Sequence, residues 1–217
     1  INNIDINIAT PSDDIFAGSF STNESDETTH FSIVDQYGNA SSVTTTLNGS
    51  FGSGIVVRNS GFLLNNEMDD FSIQSGYPNM YGLIGGEANA IIPEKRMLSS
   101  MTPTILEKNG NLFMVVGSPG GSTIISAVFQ TILNVIEFGM SIEESVNASR
   151  FHHQWYPDEI KLENAISKDS FLIKELNSLN HRLNFVSSMN RVDAILITNN
   201  QLFGGADNRG DDHVSFF

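Results

Sequence analysis

The sequence predicts layered α and β elements, with sheets packed between helices, and three observations carry that expectation. A period-two pattern opens at Thr28 and turns back at Gly38-Asn39. An apolar run, Leu112 to Val116, leads into a glycine loop, Gly117 to Gly121, and the longest apolar stretch, Ile124 to Phe138, follows. At 217 residues and 40% hydrophobic the chain can bury one substantial core and is most economically a single domain.

Residues 1 to 27 have few apolar side chains after Ile15, and Ser21 to Glu27 is polar and acidic, the composition of a solvated tail or linker. From Thr28 the residues Thr29, Phe31, Ile33 and Asp35 alternate with His30, Ser32 and Val34, and Ser41 to Leu47 returns as a second strand. The β-branched run Val43 to Thr46 supports that strand. Leu112 to Val116, the glycines and a helix from about Ser122 read as strand, loop and helix. Because the helix is apolar nearly all round, cover on both sides is expected. Ser141 and Glu144 have capping-box spacing for a short helix. Leu172, Leu176 and Leu179 mark a helical face, and Arg182 to Val186 and Val192 to Ile197 read as strands joined by a turn.

Composition removes several function classes. A net charge of −14 and no basic stripe argue against nucleic acid or anionic lipid as a partner. With no cysteine there is no disulfide framework, thiolate metal site or cysteine nucleophile. The apolar stretch from Ile124 is too short to span a bilayer and is interrupted by Gln130, Thr131, Asn134 and Glu137. Ile1 is not an initiator methionine and no secretion signal is visible, which suggests a piece of a longer chain.

A threonine hydroxyl attacks well only when a base takes its proton, and the α-amine of the same residue serves once a cut makes it a chain terminus. Thr28-Thr29-His30 lies where the acidic linker meets the first strand, so a cut there would expose Thr28; threonines opening an edge strand fit the same residues. The loop Gly117 to Gly121 precedes a helix N-terminus, where converging N–H groups stabilise an oxyanion, though a tight turn also accounts for it. A phosphate loop is excluded, since no lysine lies between Lys108 and Lys161. Asn65 to Asp70 holds three carboxylates and two amides, suited to an ammonium group, a metal ion or plain solvation, and fits no calcium-loop spacing. Ser99-Ser100, after Lys95-Arg96, offers hydroxyls to a carboxylate, though serine pairs are also common in plain loops. His152 and His153 point apart on either regular element and read as packed, hydrogen-bonded residues rather than a metal pair. No Gly-x-Ser-x-Gly elbow is present.

Taken as an ordered set, several stretches resemble the small subunit of γ-glutamyltranspeptidase, also called γ-glutamyltransferase. They are Thr-Thr-His-Phe-Ser-Ile-Val-Asp from Thr28, Thr-Thr-Thr-Leu-Asn from Thr44, Leu-Leu-Asn-Asn-Glu-Met-Asp-Asp-Phe from Leu63, Leu-Ser-Ser-Met from Leu98, Gly-Ser-Pro-Gly-Gly-Ser from Gly117 and Arg-Phe-His-His-Gln-Trp from Arg150. Ala9 to Asp14 looks like the end of the family's large subunit, which makes 1 to 27 its tail and 28 to 217 the catalytic small subunit.

The resemblance implies an α+β fold, the four-layer αββα arrangement of the N-terminal-nucleophile hydrolases. It implies autocatalytic cleavage before Thr28, with Thr28 the nucleophile and Thr46 its orienting partner. Gly120 and Gly121 would form the oxyanion hole, and Asn48, Glu67 and Asp70 would hold the glutamyl α-amino group. Ser99 and Ser100 would bind the α-carboxylate, and Tyr81, in Pro78 to Gly82, matches the lid of bacterial members. The implied activity is γ-glutamyl transfer and glutathione hydrolysis, with amino-acid or peptide acceptors, no cofactor and no metal. The implied partner is the large subunit of the same precursor, which supplies an arginine to the carboxylate clamp, and the implied location is periplasmic or extracellular. A poly-γ-glutamate depolymerase, a β-lactam side-chain acylase and an uncut, non-catalytic module are the alternatives; the insert Gln74 to Gly86 favours the transferase.

Overall fold

The computed structural model describes Ile8 and residues 28–217; the tail read over 1 to 27, with its Ala9 to Asp14 segment, lies otherwise outside the described residues. Among these the strands are β1 (Thr28–Val34), β2 (Ala40–Thr46), β3 (Thr104–Lys108), β4 (Asn111–Gly117), β5 (Phe151–His152), β6 (Ile160–Glu163), β7 (Leu183–Val186), β8 (Asp193–Thr198) and β9 (Gln201–Gly205). The α-helices are α1 (Ile124–Ile136), α2 (Ile142–Asn147) and α3 (Ser170–Ser178). The described residues divide into two compact units, one of 28–67, Ser100–Ala148 and Met189–Phe217, the other of Met68–Ser99 and Ser149–Ser188.

In the unit that carries Thr28, β1 and β2 form an antiparallel hairpin with Thr28 opposite Thr46, His30 opposite Thr44 and Ser32 opposite Ser42. The Asp35 carboxylate shapes the turn by accepting from the Tyr37 and Asn39 amides at 2.8 and 2.9 Å. The hairpin lies on an antiparallel sheet of order β3-β4-β8-β9, whose other face carries α1 and α2. Helices, sheet and hairpin thus stack as α, β, β. Met114, Val116, Ile124, Ala127, Val128, Ile142, Val146, Val192, Ala194 and Leu196 form the core between sheet and helices. Burying each of the larger aliphatic side chains is worth about 1.5–3 kcal/mol.

A short 3-10 turn, Gly121–Thr123, leads into α1, so the regular helix begins two residues later than the sequence suggests. The Ser141–Glu144 capping box on α2 forms with both reciprocal bonds, Glu144 N–H to Ser141 Oγ at 3.2 Å and Ser141 N–H to Glu144 Oε2 at 2.9 Å. Ser145 Oγ donates to the Thr131 carbonyl at 2.8 Å and ties α2 to α1 inside the core.

Two expectations are corrected. The α1 helix is not covered on both sides: Ile124, Ala127, Val128 and Thr131 are buried, but Ile125, Phe129 and Ile136 are exposed. The strands β7 and β8 are not a hairpin, because β8 lies between β4 and β9 whereas β7 pairs parallel with β6 in a sheet of order β5-β6-β7 in the other unit. Period and composition identify a strand but not its neighbour, and here the neighbours come from distant sequence.

In that other unit Asp169 caps α3, accepting from the Leu172 amide at 3.0 Å. The backbone around Ser72 pairs with Ala90, and the Asn89 side chain donates to the Asp70 carbonyl at 2.6 Å and accepts from the Leu98 amide at 2.9 Å. His152 is buried and bonds Gln154 at 3.0 Å, whereas His153 faces Asp158 at 3.4 Å, so the two rings do diverge.

Candidate active site

The inner face of β1 is polar. Thr28 and His30 are buried and Ser32 half-buried, while Phe31 and Ile33 on the opposite face are 44% and 53% exposed. A strand whose polar side faces inward spends its burial on hydrogen bonds rather than hydrocarbon, and each of these groups finds a partner. Thr28 Oγ1 donates to Thr46 Oγ1 at 3.1 Å across the hairpin. Thr46 Oγ1 also accepts from the Asn48 amide at 2.9 Å, so its position is pinned from both sides. His30 Nδ1 bonds Thr44 Oγ1 at 2.8 Å, Nε2 bonds Ser32 Oγ at 3.0 Å, and Ser42 Oγ donates to the Val116 carbonyl on β4 at 3.1 Å.

Asn48 follows β2 in a left-handed conformation, φ 72°, and is buried. Its side chain donates to the Asn66 carbonyl at 3.4 Å, and Asn66 Oδ1 accepts from the Gly49 amide at 2.8 Å. The segment that bears Glu67 is thereby held against the end of the hairpin, and the Glu67 amide donates to Asn65 Oδ1 at 3.1 Å.

At the end of β4 the chain enters Ser118-Pro119-Gly120-Gly121. Gly120 has φ 129°, a conformation that L side chains rarely adopt, and a Cβ there would run into the Asn190 amide. Asn190 Nδ2 anchors the loop by donating to the Pro119 carbonyl at 2.8 Å, and Thr123 Oγ1 donates to the Gly120 carbonyl at 2.7 Å. With its carbonyls held by side chains, the loop leaves backbone N–H groups as the donors it can present, the arrangement an oxyanion needs.

The structure therefore joins Thr28, Thr46 and Asn48 by hydrogen bonds and holds Glu67, Gly120 and Gly121 in the same unit; half-buried Ser100 belongs to this unit too. Asp70, Tyr81 and Ser99 belong to the second unit. There Asp70 ends a 3-10 turn, Tyr81 is buried with its amide on Asn79 Oδ1 at 3.0 Å, and Ser99 is exposed. His30, Asn190 and Asp193 join the site in the structure without an expectation from the sequence. His30 had a legible signal, being two residues from Thr28 and so on its face of the strand; Asn190 had none.

A cavity of about 250 Å³ is lined by His30, Ser32, Asp193, Gly205, Asp212 and His213, among others. Burial lowers His30 to about 4. Asp193 is pushed up to about 7, by burial first and then by Asp212 and Asp207, against the opposing pull of Arg191. The two shifts act on stability with opposite signs. For His30 the unfolded chain, at 6.5, takes a proton that the folded chain refuses, so stability falls as pH drops from 6.5 toward 4. For Asp193 the folded chain keeps a proton that the unfolded chain, at 3.8, releases, so its contribution is present below 3.8 and lost as pH rises to about 7. In the shared window the two offset. Asp193→Asn removes one side, and its melting temperature is expected to climb more steeply than wild type from pH 4 to 6.5; parallel curves would refute the assignment.

The family model described as gamma-glutamyltranspeptidase matches residues 1–217. A glutathione hydrolase proenzyme of Escherichia coli (strain K12) is 48% identical over 213 residues, covering 98% of this chain and 36% of its own length. The chain thus spans about a third of the length of the curated relatives it matches. Among solved structures, a mutant γ-glutamyltranspeptidase of Helicobacter pylori superposes with a TM-score of 0.81 at 48% identity, covering 84% of this chain and 100% of that one. The Pseudomonas nitroreducens γ-glutamyltranspeptidase complexed with L-DON gives 0.82 at 43% identity, covering 87% and 99%. The fold class is the expected one, α+β, the αββα N-terminal-nucleophile hydrolase fold of these structures.

Proposed function

We infer that this chain, which belongs to the γ-glutamyltranspeptidase family, carries the catalytic part of a γ-glutamyltransferase and glutathione hydrolase whose nucleophile is Thr28. The observation that carries the reading is the hydrogen-bonded series Thr28 Oγ1, Thr46 Oγ1, Asn48 N–H, which orients one hydroxyl at the start of a strand.

In the uncut sequence the Thr28 nitrogen is an amide and accepts no proton. Attack of Thr28 Oγ1 on the carbonyl of residue 27 moves that acyl group from nitrogen to oxygen, and water then cleaves the ester. The product is a free α-amine beside the regenerated hydroxyl. In turnover this amine takes the hydroxyl proton as the oxygen attacks the γ-glutamyl amide, and the amides of Gly120 and Gly121 receive the oxyanion. The proton passes to the departing amine. Water, or an amino-acid or peptide amine, then displaces the glutamyl ester. Asn48, Glu67 and Asp70 take the substrate's α-amino group, Ser99 and Ser100 its α-carboxylate, and Tyr81 serves in the cover. Both ring nitrogens of His30 are engaged by Thr44 and Ser32, so the imidazole is not the base.

The large subunit of the same precursor is the partner in this reading, and 28 to 217 forms the small subunit. Support comes from the exposed outer faces, Phe31 and Ile33 on the hairpin and Ile125, Phe129 and Ile136 on α1, apolar surfaces of the kind a second chain covers. Export across a membrane is the location this function fits, with fractionation of the source cell as its check.

The complete two-subunit protein, given a γ-glutamyl anilide and glutathione, is expected to release aniline and glutamate. Faster turnover of poly-γ-glutamate or a β-lactam side chain would transfer the site to another acyl group. An intact chain in the presence of the large subunit, seen by mass spectrometry, would favour a non-catalytic module.

A further inference from the structure

We propose that His30 is a positioning residue for the Thr28 reaction: its ring is the spacer that sets the nucleophile's strand against the strand feeding the glycine loop. The proposal deepens the reading above and rests on it.

The ring is 6% exposed and its two nitrogens reach in different directions. Nδ1 goes across the hairpin to Thr44, and Nε2 goes along β1 to Ser32, so the hairpin fixes the ring in both in-plane directions. The ring packs directly on Gly117, the last residue of β4, where an added Cβ would collide with Cε1, Nδ1 and Nε2. Ser42, bonded to the Val116 carbonyl, holds the same end of β4 from the neighbouring strand.

Three residues after Gly117 comes Gly120, and two residues before His30, on the same face and roughly 7 Å away, comes Thr28. The ring therefore sits where the nucleophile's strand and the oxyanion loop meet. Thinning it lets β1 settle toward β4; thickening Gly117 forces them apart. Either change moves Thr28 Oγ1 relative to the loop amides. Because burial keeps the imidazole neutral at physiological pH, it acts by size and hydrogen bonding rather than by charge.

The test uses the complete two-subunit enzyme and four variants, His30→Ala, His30→Gln, Gly117→Ala and the His30→Ala/Gly117→Ala pair, with self-cleavage rate, kcat and KM for a γ-glutamyl anilide as readouts. A misplacement near 1 Å predicts that His30→Ala and Gly117→Ala each lower kcat about 10²-fold while KM stays within about threefold. The pair is expected to exceed Gly117→Ala in kcat, because the methyl then enters the space the ring has left. His30→Gln, which can still reach Thr44, is expected to recover part of the loss.

A pair no better than Gly117→Ala, or a rise in KM with unchanged kcat, would overturn the proposal. Should His30→Ala fail to fold, Gly117→Ala and His30→Gln decide alone: wild-type kcat in Gly117→Ala overturns it. A wild-type enzyme that releases no aniline would instead sink the underlying function, and the self-cleavage rates would still judge His30.

Discussion

Thr28→Ala, introduced into the full precursor, is expected to leave one uncut chain and to lower anilide turnover by on the order of 10⁴-fold or more. Both losses have one cause in the proposed mechanism, where the same oxygen attacks first the backbone carbonyl before it and then the substrate. Thr46 cannot take over. Its Oγ1 already accepts from Thr28 and from the Asn48 amide, and it lies at the end of β2, with no backbone nitrogen that cleavage would free. Thr28→Ser keeps the oxygen and loses the methyl that restricts χ1, so it is expected to retain a measurable fraction of both cutting and turnover. Intact mass and aniline release are the two measurements. An alanine variant that matures at the normal rate would remove this residue from the cleavage step.

The local elements are legible in the sequence because each is written in one continuous stretch. Thr28, the strand β4 and the loop from Gly117 to Gly121 sit in continuous stretches whose composition changes sharply at their edges, and the capping box on α2 is written in Ser141 and Glu144. The partners of the local elements were less so. In β1 the hydrophobic rule alone would bury Phe31 and Ile33; the structure buries Thr28 and His30 instead, because that face meets the β3-β4-β8-β9 sheet, where its polar groups find hydrogen-bond partners. The same reversal accounts for α1. An all-apolar helix predicts cover on every side, whereas Phe129 and Ile125 are exposed among the described residues. The strand β8 could not be placed from sequence, since its register partners on β4 and β9 follow from packing rather than from its own pattern. The pairing of Thr28 with Thr46 came from the resemblance of ordered motifs, and the hairpin register gives it a physical basis.

Gly120→Ala tests the other half of the site, and it is expected to cost about 10²–10³-fold in kcat, the loss typical of a missing oxyanion donor. Two effects act together at this position. At φ 129° any Cβ strains the backbone, and the new methyl also meets the Asn190 amide whose bond holds the Pro119 carbonyl. The loop must therefore rotate, and its amides leave the direction in which an oxyanion would form. Combining Gly120→Ala with Asn190→Ala separates the two effects. Removing the amide ends the collision but leaves the φ strain, and it leaves the Pro119 carbonyl with Ser118 Oγ as its donor, at 2.6 Å, so the pair is expected to stay as slow as the single variant. Self-cleavage should slow in parallel, because in the proposed cleavage the carbonyl of residue 27 would pass through the same kind of tetrahedral oxyanion. Pre-steady-state acylation rates measure the step directly: a Gly120→Ala enzyme that acylates within about threefold of wild type would mean that the developing charge is held by other donors.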